Sequence, residues 1–504
     1  MTSMTADSPS KPLGNDRLLF GIIMGVIAFW LFAQTTLNVA PDMQRDLGLD
    51  ASMMNIAVAI TALFSGIFIV VIGGLADRIG RVKVVQAGFF LNMLGSLLIG
   101  LAPSGDLATV FLLTGRALQG LSAACIMPAS LALVKTYWEG AARQRAVSMW
   151  SIGSWGGSGV CSLFGGMMAQ NFGWRYIFFA SIVVSLIGLA MIKGTPESKA
   201  ETKADYKFDL AGLLTFMVAM VALQIVVTQG NKMGWTSPLI MGLSAVAVIF
   251  GTLFFRIESA STHGFVDFKL FRNSTFTGAT LSNFLLNGVA GTLLVSLQLV
   301  QRGGNMSAQQ AGALTLGYAV AIISFIRVGE KLLQRFGARK PMIWGCLITG
   351  LSIVLLMPSN LMLADYKIMA MIAYTLFGVG LAFYATPSTD AALSSLPANQ
   401  AGSGAGIYKM ASSLGAAFGV AISAAIFTAL SANPESVSWV SGVITFVGRQ
   451  DNLAVREAAM IALMFNVFMI LVAIMSIMLT VPKAGAKPGE SRTVPFSGLA
   501  PKQA

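Results

Sequence analysis

The sequence predicts an all-α polytopic membrane protein: two six-helix bundles plus two extra helices, fourteen transmembrane helices in all, with both termini cytoplasmic. Three observations carry this. Hydrophobic residues make up 55% of the 504 positions and charged ones only 11%, against about 25% charged in a soluble domain. Apolar stretches of about 20 residues recur along the whole length, each long enough to cross a hydrocarbon core of ~30 Å as a helix. Most Lys and Arg fall in alternate connecting segments, and this asymmetry orients the chain by the positive-inside rule. Backbone amides find no water in lipid, so the crossings are helices. The alternating ten-residue segments of a barrel are missing.

A polar tail covers 1–17. The first apolar run is a full span rather than the short core of a cleavable signal peptide. The first bundle, 18–192, has spans near 18–40, 54–73, 84–102, 107–131, 147–169 and 175–192. The segment 193–275 opens with the polar linker GTPESKAETKADYKFD and holds two extra spans, near 210–229 and 237–255. The second bundle, 276–480, has spans near 276–300, 310–328, 341–358, 368–388, 404–430 and 457–480, and a cytoplasmic tail fills 481–504.

The formal charge of +12 is topogenic on this reading, and no nucleic-acid motif accompanies it. Cys125, Cys161 and Cys346 lie far apart within spans and read as small packing residues rather than a disulfide or metal framework. The single histidine, His263, leaves no cluster for a metal. No G-x-x-x-x-G-K-[ST] run provides for ATP, and no acid–base or metal groups converge as an enzyme would need. No cofactor is expected.

A related segment closes the second span of each bundle: GGLADRIGRVK at 73–83 and GEKLLQRFGARK at 329–340. Gly80 matches Gly337, Arg78 matches Arg335, and Asp77 falls opposite Gln334. Two blocks with a corresponding segment suggest a duplicated transporter core, with a binding site between halves that rock against each other.

GGLADRIGRVK resembles the signature loop of the major facilitator superfamily, and GRALQG in span 4 resembles its Arg-x-x-Gln-Gly motif. GWRYIFF, FDLAGLL and GWTSP resemble the fourteen-helix drug:proton antiporter branch. FWLFAQTTLNVAP, GSWGGSGVCSLFGG, FLLNGVAGT and YATPSTDAALS closely resemble staphylococcal quinolone efflux pumps of that branch. The resemblance implies proton-driven export of amphipathic drugs (quinolones, dyes, biocides) from a bacterial cytoplasmic membrane by alternating access. The implied partners are those substrates, protons and the lipid bilayer, with no nucleic acid, and a monomer is expected. A narrow-specificity transporter for one physiological solute is the alternative.

The resemblance also implies roles for particular residues. Gly73, Asp77, Arg78, Gly80 and Arg81 form a conformational latch, in which Asp77 docks at the start of span 13, near Gly402, when the cytoplasmic side closes. Arg116 lies deep in span 4, where a charge is costly and faces an interior; it serves proton coupling or substrate contact, unless backbone carbonyls simply satisfy it. Many branch members carry an aspartate in span 1 two residues before a threonine; here Ala33 precedes Thr35. The proton carrier therefore falls to Asp390 first and Asp42 second. Lys409 in span 13 either snorkels or pairs with Asp390. In span 5, Cys161 and Ser162 replace the antiporters' Gly-Pro, which weakens the inference of strict antiport, and the Gly-rich part remains a candidate hinge.

A roomy aromatic cavity is expected from Trp30, Gln34, Thr35 and Asn38 of span 1, Gln119 of span 4, Trp150 and Trp155 of span 5, Asn283 and Asn287 of span 9, Tyr384 of span 12 and Tyr408 of span 13. Twenty-eight methionines add soft, adaptable surface. Without a buried carboxylate, zwitterionic or neutral drugs fit better than strictly cationic ones.

Overall fold

Why the chain breaks where it does is visible at its helix ends. In this computed structural model, which describes residues 14–200, 209–260 and 268–483, polar side chains cap helix starts. Asn15 accepts from Leu18 N at 2.8 Å, Asp50 from Met53 N at 2.6 Å and Asp209 from Gly212 N at 2.8 Å. Ser307 and Gln310 close a reciprocal capping box. Each such cap satisfies an orphan amide and contributes about 1 kcal/mol.

The first bundle comprises α1 (Asp16–Ile27), α2 (Thr36–Leu47), α3 (Ala51–Ile79), α4 (Arg81–Gly100), α5 (Asp106–Tyr137), α6 (Gly140–Ser151), α7 (Gly157–Asn171) and α8 (Arg175–Ile192). The extra pair is α9 (Leu210–Met233) and α10 (Pro238–Ala260). The second bundle comprises α11 (Ser274–Gly288), α12 (Gly291–Gln298), α13 (Ala308–Ala313), α14 (Leu316–Phe336), α15 (Arg339–Leu356), α16 (Leu363–Ser394), α17 (Ala401–Ala432) and α18 (Leu453–Thr480).

Among the described residues, thirteen helical stretches are long and apolar enough to cross a membrane. The remaining expected span, 147–169, falls on α6 and α7, which a π turn at Ile152–Gly156 joins. A second π turn, Ala28–Ala33, interrupts the expected first span between α1 and α2. A third, Leu299–Gly303, follows α12. Such wide turns recur at functional sites. The expected charged loop at 73–83 is mostly helical: α3 runs to Ile79 and α4 resumes at Arg81, with Gly80 alone between them at φ +124°. His263, on the connection after α10, lies outside the described residues. Cys125, Cys161 and Cys346 form no disulfide with one another.

Polar pairs hold helices together where lipid offers no hydrophobic drive between them. Asn92 on α4 donates to Ser181 and Ser185 of α8 at 2.9 and 2.8 Å. The two bundles meet where α3 and α5 pack on α17, and where α6 and α7 pack on α14 and α16. That junction holds Asp77, Asp390 and Lys409.

Candidate functional site

The junction is tightest beside Gly80. The start of α17 has no cap of its own, since the Gln400 side chain makes no capping bond. Asp77, from the other bundle, supplies one. Its carboxylate accepts from Gly402 N at 2.8 and 3.0 Å and from Ser403 N at 3.0 Å. Carboxylates are favoured there because a helix N-terminus carries unpaired amides and positive potential. The approach depends on missing side chains. A Cβ on Gly73 would lie 2.5 Å from Gly402 O, and one on Gly402 would lie 2.4 Å from Gly73 O.

Arg81 completes the arrangement. Its guanidinium donates to Asp77 Oδ1 at 2.9 and 2.8 Å, to Thr136 and Ser198 hydroxyls at 3.0 Å each, and to Ala398 O of the second bundle at 2.7 Å. Both charges are almost fully buried. Burying such a pair costs several kcal/mol, and only full hydrogen bonding offsets it. Arg78, one residue after Asp77, is half-buried.

One contributor here gives no signal in the sequence. Glu197, in the linker after the first bundle, accepts from Val82 N at 2.9 Å and Lys83 N at 3.1 Å, so it caps α4. A Cβ on Gly80 would meet this carboxylate at 2.4 Å. Ala200 N donates to Asp77 O and Arg81 N to Ser198 O, at 2.6 and 2.9 Å. The linker packs against the α3–α4 junction rather than serving as a plain tether.

A second bridge crosses between bundles nearby. Arg143 of α6 donates to Asp390 of α16 at 2.9 Å, and Lys135 Nζ reaches Ser394 O at 3.3 Å. This corrects the expected Asp390–Lys409 pair. Asp390 sits in the turn of α16 nearest α6, and Arg143 reaches it there. Asp390, expected as the first proton-carrier candidate, is thus engaged by Arg143 across the junction. Asp42 also differs from a buried carrier: it is half exposed and pairs with Arg45 one turn on at 2.5 Å.

Deeper in the first bundle, Arg116 is fully buried, and its Nε and Nη1 are engaged. It donates to Ala57 O at 3.1 Å, Ala33 O at 2.8 Å, Thr36 Oγ1 at 3.0 Å and Gln119 Oε1 at 2.8 Å. Gln119 in turn donates to Ser96 at 3.2 Å. The carbonyl of Ala33, where branch members carry an aspartate, thus serves this arginine. Gln119 is fully buried and spends its side chain on Arg116 and Ser96 rather than presenting it to open space, contrary to expectation.

The centre of the junction holds Lys409. Only 6% of it is exposed, so it does not snorkel to a surface. Its ammonium lies 5.7 Å from the centroid of the Trp30 ring and 5.0 Å from that of Trp150. Among the described residues it has no hydrogen bond and no ion pair. An unpaired buried charge costs several kcal/mol. A desolvated ring face returns about 2 kcal/mol, so two faces leave the charge under-compensated. Trp150 is held by its Nε1–H donating to Ser130 at 2.9 Å. The buried Trp30 Nε1 has no acceptor.

Around this centre, Trp155 lies in the π turn of span 5, half-buried, and Gln34 follows the π turn of span 1, also half-buried. Thr35 is buried and donates to Leu31 O and, at 3.2 Å, to Cys161 O. Asn38 is exposed beside Cys161. Glycines of span 5 face both neighbours: a Cβ on Gly157 would meet Trp30 at 3.3 Å, and one on Gly156 would meet Ile323 of α14 at 2.9 Å. Asn287 is half-buried and donates to Asn283, which donates to Tyr408 O and Ser412. The tyrosines correct another expectation. The hydroxyls of Tyr384 and Tyr408 join Ser282, Ser388 and Thr389 in one buried network, so they brace the second bundle instead of facing open space. Serines at helix-facing positions were the available signal for that network.

A cavity of 290 Å³ lies elsewhere, between the Leu299–Gly304 turn, residues 359–366 and residues 447–456. Arg456 closes it by donating to the carbonyls of Ser359, Leu361, Val447 and Arg449. It is remote from the junction residues above.

The sequence profile described as Major Facilitator Superfamily matches residues 18–302 and 275–465. Quinolone resistance protein NorB of Staphylococcus aureus strain MRSA252 is 48% identical over 479 residues, covering 95% of this chain and 98% of the relative. NorB of strain COL is 49% identical over 482 residues with the same coverage. Among solved structures, the proton:xylose symporter XylE aligns with a TM-score of 0.60 at 16% identity, over 93% of this chain and 96% of that one. An outward-facing bacterial homologue of the iron transporter ferroportin aligns at 0.57 and 13%, over 92% and 98%. These two likenesses concern the fold alone. With a profile match from residue 18 to 465 and near-complete coverage of relatives, the chain belongs to the Major Facilitator Superfamily.

Proposed function

We propose that this chain exports amphipathic drugs, quinolones among them, across the bacterial cytoplasmic membrane, driven by the proton gradient. The observation that carries the reading is the 48% identity to NorB quinolone resistance proteins along 95% of the chain. The junction supports a mechanism. The excess of Lys and Arg places the Gly80 end in the cytoplasm. There, Asp77 and Arg81 at α17, together with Arg143 at Asp390, hold the bundles closed. Export then requires these contacts to open for loading from the cytoplasm and re-form for release outside. A bound drug moves that balance only through its differing affinity for the two arrangements.

Among the described residues no carboxylate partners Arg116, so its role is to hold the π turn of span 1 and α2 against α3 and α5. The proton gradient is the energy source, and no bound cofactor is required. The working unit we assign is the monomer.

The test is accumulation of norfloxacin and ethidium in an efflux-deficient bacterium expressing the chain, with and without a protonophore. Lower accumulation that the protonophore reverses is the expected result. Unchanged accumulation with the protein confirmed in the membrane would overturn drug export in favour of a narrow physiological solute.

A further inference from the structure

We propose that Lys409 is the anion-recognising group of the transport site: it binds the carboxylate of a flat aromatic substrate whose rings lie against Trp30 and Trp150. The inference rests on the export reading for the substrate's entry and exit, and deepens it by naming the chemistry one residue selects.

Three observations converge. Lys409 is 6% exposed as a residue, and its ammonium lacks any hydrogen-bond or carboxylate partner among the described residues. Buried charges are otherwise paired, and the carboxylates that bridge the bundles, Asp390 and Asp77, are engaged elsewhere, by Arg143 and by Arg81 and α17. The position is shared between bundles. Lys409 belongs to α17, whereas Trp30 sits in the π turn after α1 and Trp150 in α6. A ligand held there feels both halves, which is what coupling binding to their rocking needs. The immediate wall is aromatic and contains a second donor without an acceptor, the Trp30 indole N–H. A carboxylate on an aromatic ring system fits this surrounding: it gives the ammonium an acceptor and neutralises its charge, it can accept from the Trp30 N–H, and its planar body suits the indole faces. A dication would meet Lys409 with like charge.

The experiment measures binding to the purified full chain in lipid nanodiscs by tryptophan fluorescence. The probes are norfloxacin and its methyl ester, which keeps the rings and loses the carboxylate. The proteins are wild type, Lys409→Gln and Lys409→Arg, each checked for monodispersity. A charge-assisted contact corresponds to about tenfold to a hundredfold in affinity. Wild type is expected to bind the acid at least about tenfold more tightly than the ester. Lys409→Gln should erase that gap, and Lys409→Arg should retain most of it. Equal affinities in wild type, or a gap that survives Lys409→Gln, would overturn the proposal. If the glutamine variant does not fold, the wild-type gap and its persistence in Lys409→Arg decide. Ethidium export in cells without an acid–ester gap sinks this site and leaves drug export standing; a Lys409-dependent gap without export in cells does the reverse.

Discussion

At the end of α3, Asp77 leaves its own helix and caps α17 of the other bundle, with both glycines at the contact bare enough to let the backbones touch. At the matching position of α14, Gln334 stays within its helix and donates to Glu330 at 3.3 Å, while Arg327 holds Glu330 from one turn earlier at 2.5 Å. The helix that the repeat would offer Gln334 is α6, whose start at Glu139 makes no side-chain capping bond. Instead α6 sends Arg143 to Asp390. The same segment, repeated, caps a helix of the other bundle in one half and braces its own helix in the other. The difference teaches that one carboxylate suffices: a charged acceptor can satisfy several amides at a helix start, whereas an amide side chain has a weaker acceptor and no charge to offer.

Breaking the strong side should have the largest effect. Asp77→Ala is expected to raise norfloxacin and ethidium accumulation to that of cells lacking the chain, with normal amounts in the membrane by immunoblot. Retained efflux at equal expression would count against the latch. Next comes the backbone contact. Gly402→Ala places a methyl 2.4 Å from Gly73 O, below any normal contact, so closure must loosen. Efflux should fall about tenfold or more, since relieving such overpacking costs ~1–3 kcal/mol. Thiol accessibility at a cysteine introduced at Ala405 should rise in step; unchanged labelling would refute the packing account.

The Arg143–Asp390 bridge makes a single contact between bundles, whereas Asp77 and Arg81 make several, so its loss should matter less. Arg143→Ala and Asp390→Asn are each expected to reduce efflux several-fold. In a double-mutant cycle the pair should lose little more than either alone. Additive losses would mean the two side chains act separately. The weak side of the comparison gives the smallest effect: Gln334→Ala should leave efflux within about twofold, because surface-type substitutions outside such networks usually stay within ±0.5 kcal/mol. A loss as large as that for Asp77 would overturn the asymmetry.

Much of this was legible beforehand. The helices follow from apolar run length, and every expected span falls on helix. The approach of Asp77 to Gly402 matches what the signature segment implies, because a short motif carries both the carboxylate and the glycines that let it arrive. The partner of Asp390 was not legible. Lys409 lies 19 positions away and Arg143 nearly 250, and only the docking of α6 on α16 decides between them. Gln119, Tyr384 and Tyr408 show a related failure: a polar residue in a span announces that it needs partners, without saying whether they are substrate or neighbouring helices. The π turns depend on one-residue shifts of helix register, which hydropathy does not resolve.

The sequence by itself determined the membrane class, the positions of the spans, the duplicated plan and the presence of charges too costly to be accidental. Those depend on composition and on short local patterns, because transfer into lipid is roughly additive along a helix. Only the tertiary structure decided which of those charges is spent. Arg116 is satisfied by carbonyls and side chains from neighbouring helices, and Lys409 is left between two tryptophans. Both are single cations in apolar helices, and their difference lies in which acceptors distant segments bring within hydrogen-bonding range.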